Sequence, residues 1–374
     1  MKPFRVDCVV GTRPNFVKIA PILAALRKRE GVTARLIHTG QHYDAAMDGA
    51  FFEELRIPHA DINLAIGSAS SAAQTARMML SLEPLFASPR PDLLIVVGDV
   101  NSTLAAALTA AKMAIPVAHV EAGLRSFDRA MPEEINRILV DRLADLHFVT
   151  EPQGVENLRA EATVGDGVKL VGNVMIDSLL SCLDRGIPAA QVLAEAQASS
   201  RFAEAARRDG FAFATLHRPS NVDDPRKLEG HLRAFADVSR DLPLVFAIHP
   251  RTRAAIVRHG LEPWLETPML QATGPLSYLR TIGMMREAQV VITDSGGIQE
   301  ETTALGVPCL TLRDNTERPI TVEQGTNTLI GSDPALLADA VDAVLDGGGK
   351  RGRVPPLWDG KAAERIADGV MGFM

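Results

Sequence analysis

Four residues have the chemistry to move protons on and off one substrate centre: Asp99, Glu121, Glu133 and His217. Asp99 and Glu121 each follow an apolar, strand-like run, where a carboxylate is costly unless it is paired or used. Glu133 and Glu134 open a helical pattern after Met131-Pro132. Acidic residues there also complement the helix dipole, a contribution of a few tenths to about 1 kcal/mol, and that suffices for Glu134. His217 closes the first strand-like run of the second half and precedes Arg218. General acids and bases of these types contribute about 10²- to 10⁴-fold each. Carboxylates held close together raise one another's pKa, so that one can stay protonated at neutral pH.

A second group of residues suits an anion. In Thr293-Asp294-Ser295-Gly296-Gly297-Ile298-Gln299-Glu300-Glu301, the residues Ser295, Gly296 and Gly297 fall where a strand ends and a helix begins. N–H groups at a helix start lack intrahelical acceptors and carry partial positive charge. Two glycines let the backbone approach a bulky phosphate. Glu301 lies further along the same helix, and Arg318 adds what reads as a mobile positive charge. Arg13, after the first strand, and Lys18, one turn into the next helix, are further cations within reach of an anion, although Lys18 alone reads as an ordinary surface charge. A phosphate clamp beside carboxylates suits a phosphorylated, hydroxyl-rich ligand such as a nucleotide sugar.

The elements that must position these residues alternate. Strand-like runs at 6–10, 34–38, 93–97 and 117–119 interleave with helical patterns at 17–29, 73–86, 104–113 and 133–143. The second half repeats the scheme, with strands at 211–216, 244–248, 290–293 and 309–312 and helices at 227–239, 279–286, 299–305 and 334–345. Such βα alternation means a parallel sheet with helices on both faces. The fold class is therefore α/β, with two Rossmann-like, doubly wound parallel-sheet domains. Domain limits of 1–173 and 174–357 are expected, with 358–374 forming a helix that returns to the first domain. A polar, alanine-rich stretch at 189–208 reads as a helical hairpin. Ligands of open parallel sheets bind at strand carboxyl ends, where all the polar motifs lie. Two sheets facing across a cleft would bring them together.

Several classes are disfavoured. A net charge of −7 over 374 residues argues against nucleic acid as a partner. No apolar run is long enough for a membrane span, and no signal peptide is evident. Cys8, Cys182 and Cys309 lie apart in apolar surroundings, as in a reduced cytoplasmic protein. No Cys/His spacing suggests zinc or another metal. Neither GxGxxG after the first strand nor GxxxxGK[ST] occurs, so neither a dinucleotide nor a triphosphate site is supported.

The motifs Gly11-Thr12-Arg13-Pro14 through Lys18, Gly40-Gln41-His42, Gly98-Asp99, His119-Val120-Glu121-Ala122-Gly123-Leu124-Arg125, Pro132-Glu133-Glu134-Ile135-Asn136-Arg137, His217-Arg218, Thr293 to Glu301 and Thr316-Glu317-Arg318-Pro319 occur in order over nearly the whole chain. Jointly they resemble the non-hydrolysing UDP-N-acetylglucosamine 2-epimerases. The resemblance implies a GT-B type fold, a homodimer, and interconversion of UDP-N-acetylglucosamine and UDP-N-acetylmannosamine. It implies loss of the C2 proton with departure of UDP, a glycal intermediate, and re-addition of UDP, with no cofactor. By motif, Asp99, Glu121, Glu133 and His217 match the acid–base and sugar positions. Arg13, Lys18, Ser295, Gly296, Gly297, Glu301 and Arg318 match the UDP positions, Glu301 taking the ribose hydroxyls.

Some positions depart from the family pattern. Asn15 stands where many members have Glu, Tyr43-Asp44 where many have Arg-Glu, and Ser220-Asn221 follow a His-Arg pair that many members follow with Glu. These leave room for a modified sugar such as a UDP-diacetamido-uronic acid. A hydrolysing relative is disfavoured by Pro14-Asn15. A glycosyltransferase would need an acceptor pocket that no motif marks, and a non-catalytic nucleotide-sugar sensor would not need all four acid–base residues.

Overall fold

The computed structural model describes residues 3–40, 52, 54–57, 59–331 and 333–374, so the Gln41-His42-Tyr43-Asp44 motif lies outside the described residues. Two compact units result, Met1–Ser181 with Pro356–Met374, and Cys182–Pro355. The first junction thus falls later than the position 173 expected from sequence. The apolar helix Val174–Cys182 packs largely with the first unit. Its Asp177 carboxylate accepts the N–H groups of Ala362 and Ala363 and so caps the last helix, Ala362–Met371. That helix also lies against Arg13–Arg27, with an Arg29–Asp368 ion pair at 2.6 Å.

The first unit holds strands β1 (Phe4–Val10), β2 (Val32–His38), β3 (Ile62–Asn63), β4 (Leu93–Val97), β5 (Val117–Ala122), β6 (Leu146–Val149) and β7 (Val168–Leu170). They form one parallel sheet in the order β3-β2-β1-β4-β5-β6-β7. The second unit holds β8 (Ala212–Leu216), β9 (Leu244–Ile248), β10 (Leu270–Thr273), β11 (Val290–Thr293), β12 (Cys309–Thr311) and β13 (Asn327–Leu329). Its sheet is also parallel, in the order β10-β9-β8-β11-β12-β13.

Central strands such as Leu93–Val97 and Leu244–Ile248 are buried along their whole length. Helices covering both faces of a parallel sheet require such uninterrupted apolar runs. Strands β3, β6, β7, β10 and β13, of two to four residues each, escape the sequence reading. In β6 a buried His147, bonded to the Asp141 carbonyl, interrupts the apolar signal. In both sheets the strand order reverses beside the first strand, between β1 and β4 and between β8 and β11. Crevices at such reversals are where doubly wound sheets bind ligands. Among the described residues, no helix is long and apolar enough to cross a membrane.

Candidate active site

In the first unit, the site begins at the turn after β1. Gly11 leaves the strand where a Cβ would collide with Ser102 Oγ. The helix Arg13–Arg27 starts earlier than its apolar periodicity indicates, because Asn15 clamps its first turn. Asn15 Oδ1 accepts the Thr12 N–H at 3.1 Å and the Thr12 hydroxyl at 3.0 Å. Its Nδ2 donates to the Val97 carbonyl at 3.0 Å, tying this turn to the end of β4. Arg13 is exposed, whereas Lys18 is buried and faces Glu121, with Nζ 2.5 Å from Oε2.

Glu121 occupies an irregularity in β5, where the register with β6 shifts between Val120 and Ala122. Its φ is +70°, a left-handed conformation that costs a non-glycine residue on the order of 1–3 kcal/mol. Such conformations collect at functional sites because the surrounding structure over-determines them. Gly98, itself at φ +69°, lies so close that a Cβ would be 3.3 Å from Lys18 Nζ and 3.5 Å from Glu121 Oε2.

Asp99, just beyond β4, is held at three points. Its carboxylate receives Arg137 Nε at 2.9 Å, its carbonyl accepts the Asn136 amide at 2.7 Å, and the preceding Gly98 carbonyl meets His119 Nε2 at 2.9 Å. His119 Nδ1 lies 2.6 Å from Asp141, which also takes Arg125 and the Gly123 N–H. Asp99 and Glu121 therefore each have a cation of their own, Arg137 and Lys18.

Glu133 is half-buried at the start of helix Pro132–Leu143. Glu134 does more than complement a dipole. It is buried and accepts the N–H groups of Ser126 and Phe127, both at 2.9 Å, and the Arg137 guanidinium at 2.5 Å. Burial pushes its pKa up, but these donors outweigh burial and hold it below the ordinary value. Glu134 thus pins the loop between β5 and this helix.

In the second unit, β11 ends at Thr293 and the helix Gly296–Leu305 begins with Ser295 as its N-cap. The Ser295 N–H donates to Thr293 Oγ1 at 3.0 Å, which turns the chain sharply into the helix. The N–H groups of Gly296, Gly297 and Ile298 have, by position, no intrahelical acceptor. A Cβ on Gly296 would lie 2.8 Å from Glu317 Oε1 and 2.9 Å from an Arg318 guanidinium nitrogen. Only glycine lets that cation lie against the helix start.

The expectation of a mobile Arg318 is corrected by this packing. Arg318 is buried, with Nε 2.6 Å from Glu300 and Nη1 2.7 Å from Glu317. Glu317 also pairs with Arg313 at 2.7 Å. Burial opposes ionisation of Glu317, but Arg318 and Arg313 hold its pKa well below the usual carboxylate range. The helix that carries Glu300 also carries Gln299, whose Oε1 accepts from Thr316 and Asn327, and Glu301. Glu301 is buried and receives the Tyr278 hydroxyl at 2.8 Å. Burial pushes its pKa up to about 7, and neighbouring Glu300 adds to the rise against the Tyr278 hydrogen bond.

His217 follows β8, with its Nδ1 2.7 Å from Asp294, which is wholly buried. Asp294 also accepts the N–H groups of His217 and Arg218 and the Asn221 amide. Burial acts to raise the Asp294 pKa, but His217 and these donors bring it down to about 2. The supporting residues Arg137, Asp141, Asn221 and Asp294 carried no assigned role in the sequence. Asp294 alone had a readable signal, a carboxylate at a strand end like Asp99.

Each of the two doubly wound units carries charged groups and close-approach glycines at the carboxyl ends of its central strands, which makes this a two-unit α/β protein with ligand-type sites on both sheets. The family model described as UDP-N-acetylglucosamine 2-epimerase matches residues 24–371. The UDP-N-acetylglucosamine 2-epimerase of Methanocaldococcus jannaschii is 39% identical over 97% of each chain. The crystal structure of the M. jannaschii enzyme, described as a complex with UDP-GlcNAc and UDP, superposes with a TM-score of 0.86 at 37% identity, covering 99% of this chain and 100% of that one. The UDP-2,3-diacetamido-2,3-dideoxy-D-glucuronate 2-epimerase of Pseudomonas aeruginosa is 38% identical over 91% of this chain and 92% of its own. The chain belongs to the UDP-N-acetylglucosamine 2-epimerase family.

Proposed function

We propose that the protein is a non-hydrolysing epimerase that interconverts UDP-N-acetylglucosamine and UDP-N-acetylmannosamine. The observation that carries this reading is full-length family membership combined with the carboxylate and imidazole groups at the strand ends. A base takes the C2 proton while the C1–O bond to UDP breaks, leaving a glycal and bound UDP. A proton then returns to the opposite face of C2 as UDP re-adds at C1. Asp99, Glu121, Glu133 and His217 are assigned the proton transfers and the contacts to the sugar.

The diphosphate is assigned to Ser295, Gly296, Gly297 and Arg13, and the ribose hydroxyls to Glu301. Arg318 acts from its buried position as fixed positive charge behind the helix start. Lys18 contributes through its ion pair with Glu121. The same reading takes the protein to be a cytoplasmic homodimer, which sedimentation at micromolar concentration tests. A second reading, a UDP-diacetamido-uronic acid as substrate, is supported by the nearly equal identity to the P. aeruginosa enzyme.

Proton NMR of the protein with UDP-N-acetylglucosamine in D₂O is the test. Growth of UDP-N-acetylmannosamine with deuterium at C2 and no free sugar is expected, with loss of turnover in Glu121→Gln. Accumulation of UDP and free N-acetylmannosamine would replace the reading with a hydrolase. No turnover of this sugar, with turnover of the diacetamido-uronic acid, would favour the second reading.

A further inference from the structure

Asp294 lies in the same segment as the glycines assigned to the diphosphate, yet nothing in that assignment uses it. It is wholly buried at the carboxyl end of β11, and its oxygens face only donors. These are the His217 N–H at 3.0 Å, the Arg218 N–H at 2.8 Å, the Asn221 amide at 3.1 Å, and the His217 ring. Asn221 is fixed in turn by donation to the Leu312 carbonyl at 3.0 Å. A carboxylate surrounded in this way is an acceptor only. The ring nitrogen in contact with it, Nδ1 at 2.7 Å, must then supply the proton. The His217 side chain is 39% exposed, and its Nε2 makes no hydrogen bond among the described residues.

We infer that Asp294 is a positioning residue that fixes His217 in the Nδ1–H tautomer, so that Nε2 presents its lone pair to the substrate. This deepens the reading of His217 as an acid–base group and rests on it. A neutral imidazole has one donor and one acceptor nitrogen, and the partner of the first decides which is which. The backbone N–H groups of His217 and Arg218 bind the same carboxylate as the ring. Tautomer and ring position are therefore set by a single group. The other charged and titratable groups facing this pair are the His249 ring, 5.6 Å away centre to centre at the end of β9, and Arg218, itself 3.5 Å from Glu317. His231, on helix Pro225–Val238, also feels the Asp294 charge.

The variant Asp294→Asn keeps an oxygen for the backbone donors but turns an N–H towards the ring. That forces the opposite tautomer, in which Nε2 carries the hydrogen and cannot accept a proton.

The test is ¹⁵N–¹H spectroscopy of the imidazole rings of the intact protein at pH 8, with His217 assigned through His217→Gln. An Nδ1–H, Nε2-unprotonated pattern is expected in the unaltered protein, a result that needs no variant to fold. In Asp294→Asn the pattern should invert, and kcat should fall about 10²-fold or more, while KM changes by no more than about threefold. Combining Asp294→Asn with His217→Gln should cost little beyond His217→Gln alone, because the two act as one unit.

An Nε2–H pattern in the unaltered protein overturns the inference, and so does a folded Asp294→Asn variant with normal kcat. Near-normal turnover in His217→Gln removes the acid–base role of His217 and overturns the catalytic part. The tautomer spectrum distinguishes that outcome, because it reports Asp294 whether or not His217 reacts.

Discussion

At the scale of single residues, cations and carboxylates are matched in place. Lys18 meets Glu121, Arg137 meets Asp99, and Arg318 meets Glu300 and Glu317. A buried pair contributes little net stability, but removing one partner leaves a desolvated charge and costs about 3–5 kcal/mol. Arg318→Ala is thus expected to lower the unfolding free energy by that order, since two buried carboxylates lose a partner. Weaker UDP binding would come with it rather than alone. Urea denaturation beside UDP calorimetry checks this. Unchanged denaturation with weakened UDP binding would mean that Arg318 serves the ligand and not the fold.

At the scale of elements, the approach of one segment to another decides whether an anion site exists. The helix Gly296–Leu305 begins with a residue whose missing side chain is filled by the ends of Glu317 and Arg318. In Gly296→Ala the new methyl must displace the guanidinium or the carboxylate, both already committed to ion pairs. Overpacking of this kind costs typically about 1–3 kcal/mol. UDP affinity is expected to drop about tenfold or more, which 1.4 kcal/mol suffices to produce. Calorimetry giving Gly296→Ala an unaltered affinity would remove this approach from the binding site.

The same scale shows what local sequence conveys. Strands β4, β9 and β11 were legible to the residue, because a fully buried strand must be an unbroken apolar run. The start of helix Arg13–Arg27 was not, because it depends on Asn15 reaching the Val97 carbonyl, 82 residues away in sequence.

At the scale of the whole molecule, the last helix returns to the first unit and is capped by Asp177. Burial pushes the Asp177 pKa up to about 6, against the two backbone N–H groups it accepts. Its folded pKa thus exceeds the unfolded value of about 3.9. The folded state holds the proton more tightly, so stability contributed at low pH is lost as pH rises from about 4 to about 6. The size is on the order of 2–3 kcal/mol at about 1.4 kcal/mol per pKa unit. Asp177→Asn cannot ionise and should lack this slope. Urea midpoints of the two proteins between pH 4 and pH 7 should diverge as pH rises, with the wild type losing ground. Parallel curves would show that Asp177 does not titrate in this window.

Local sequence specifies the class of the fold and the candidate residues. Periodicity specifies alternating strands and helices, strand ends specify where polar groups emerge, and the ordered motifs specify the family. Those are properties of short segments, and short segments carry them. Tertiary structure decided the partners. That Arg318 is fixed rather than mobile, that Glu134 pins a loop, that Glu121 adopts a left-handed backbone against Lys18 and that Asp294 holds His217 all depend on how separate elements and loops pack against one another. No local pattern encodes such contacts, because a charge reads the same in sequence whether solvent or a buried counter-ion awaits it.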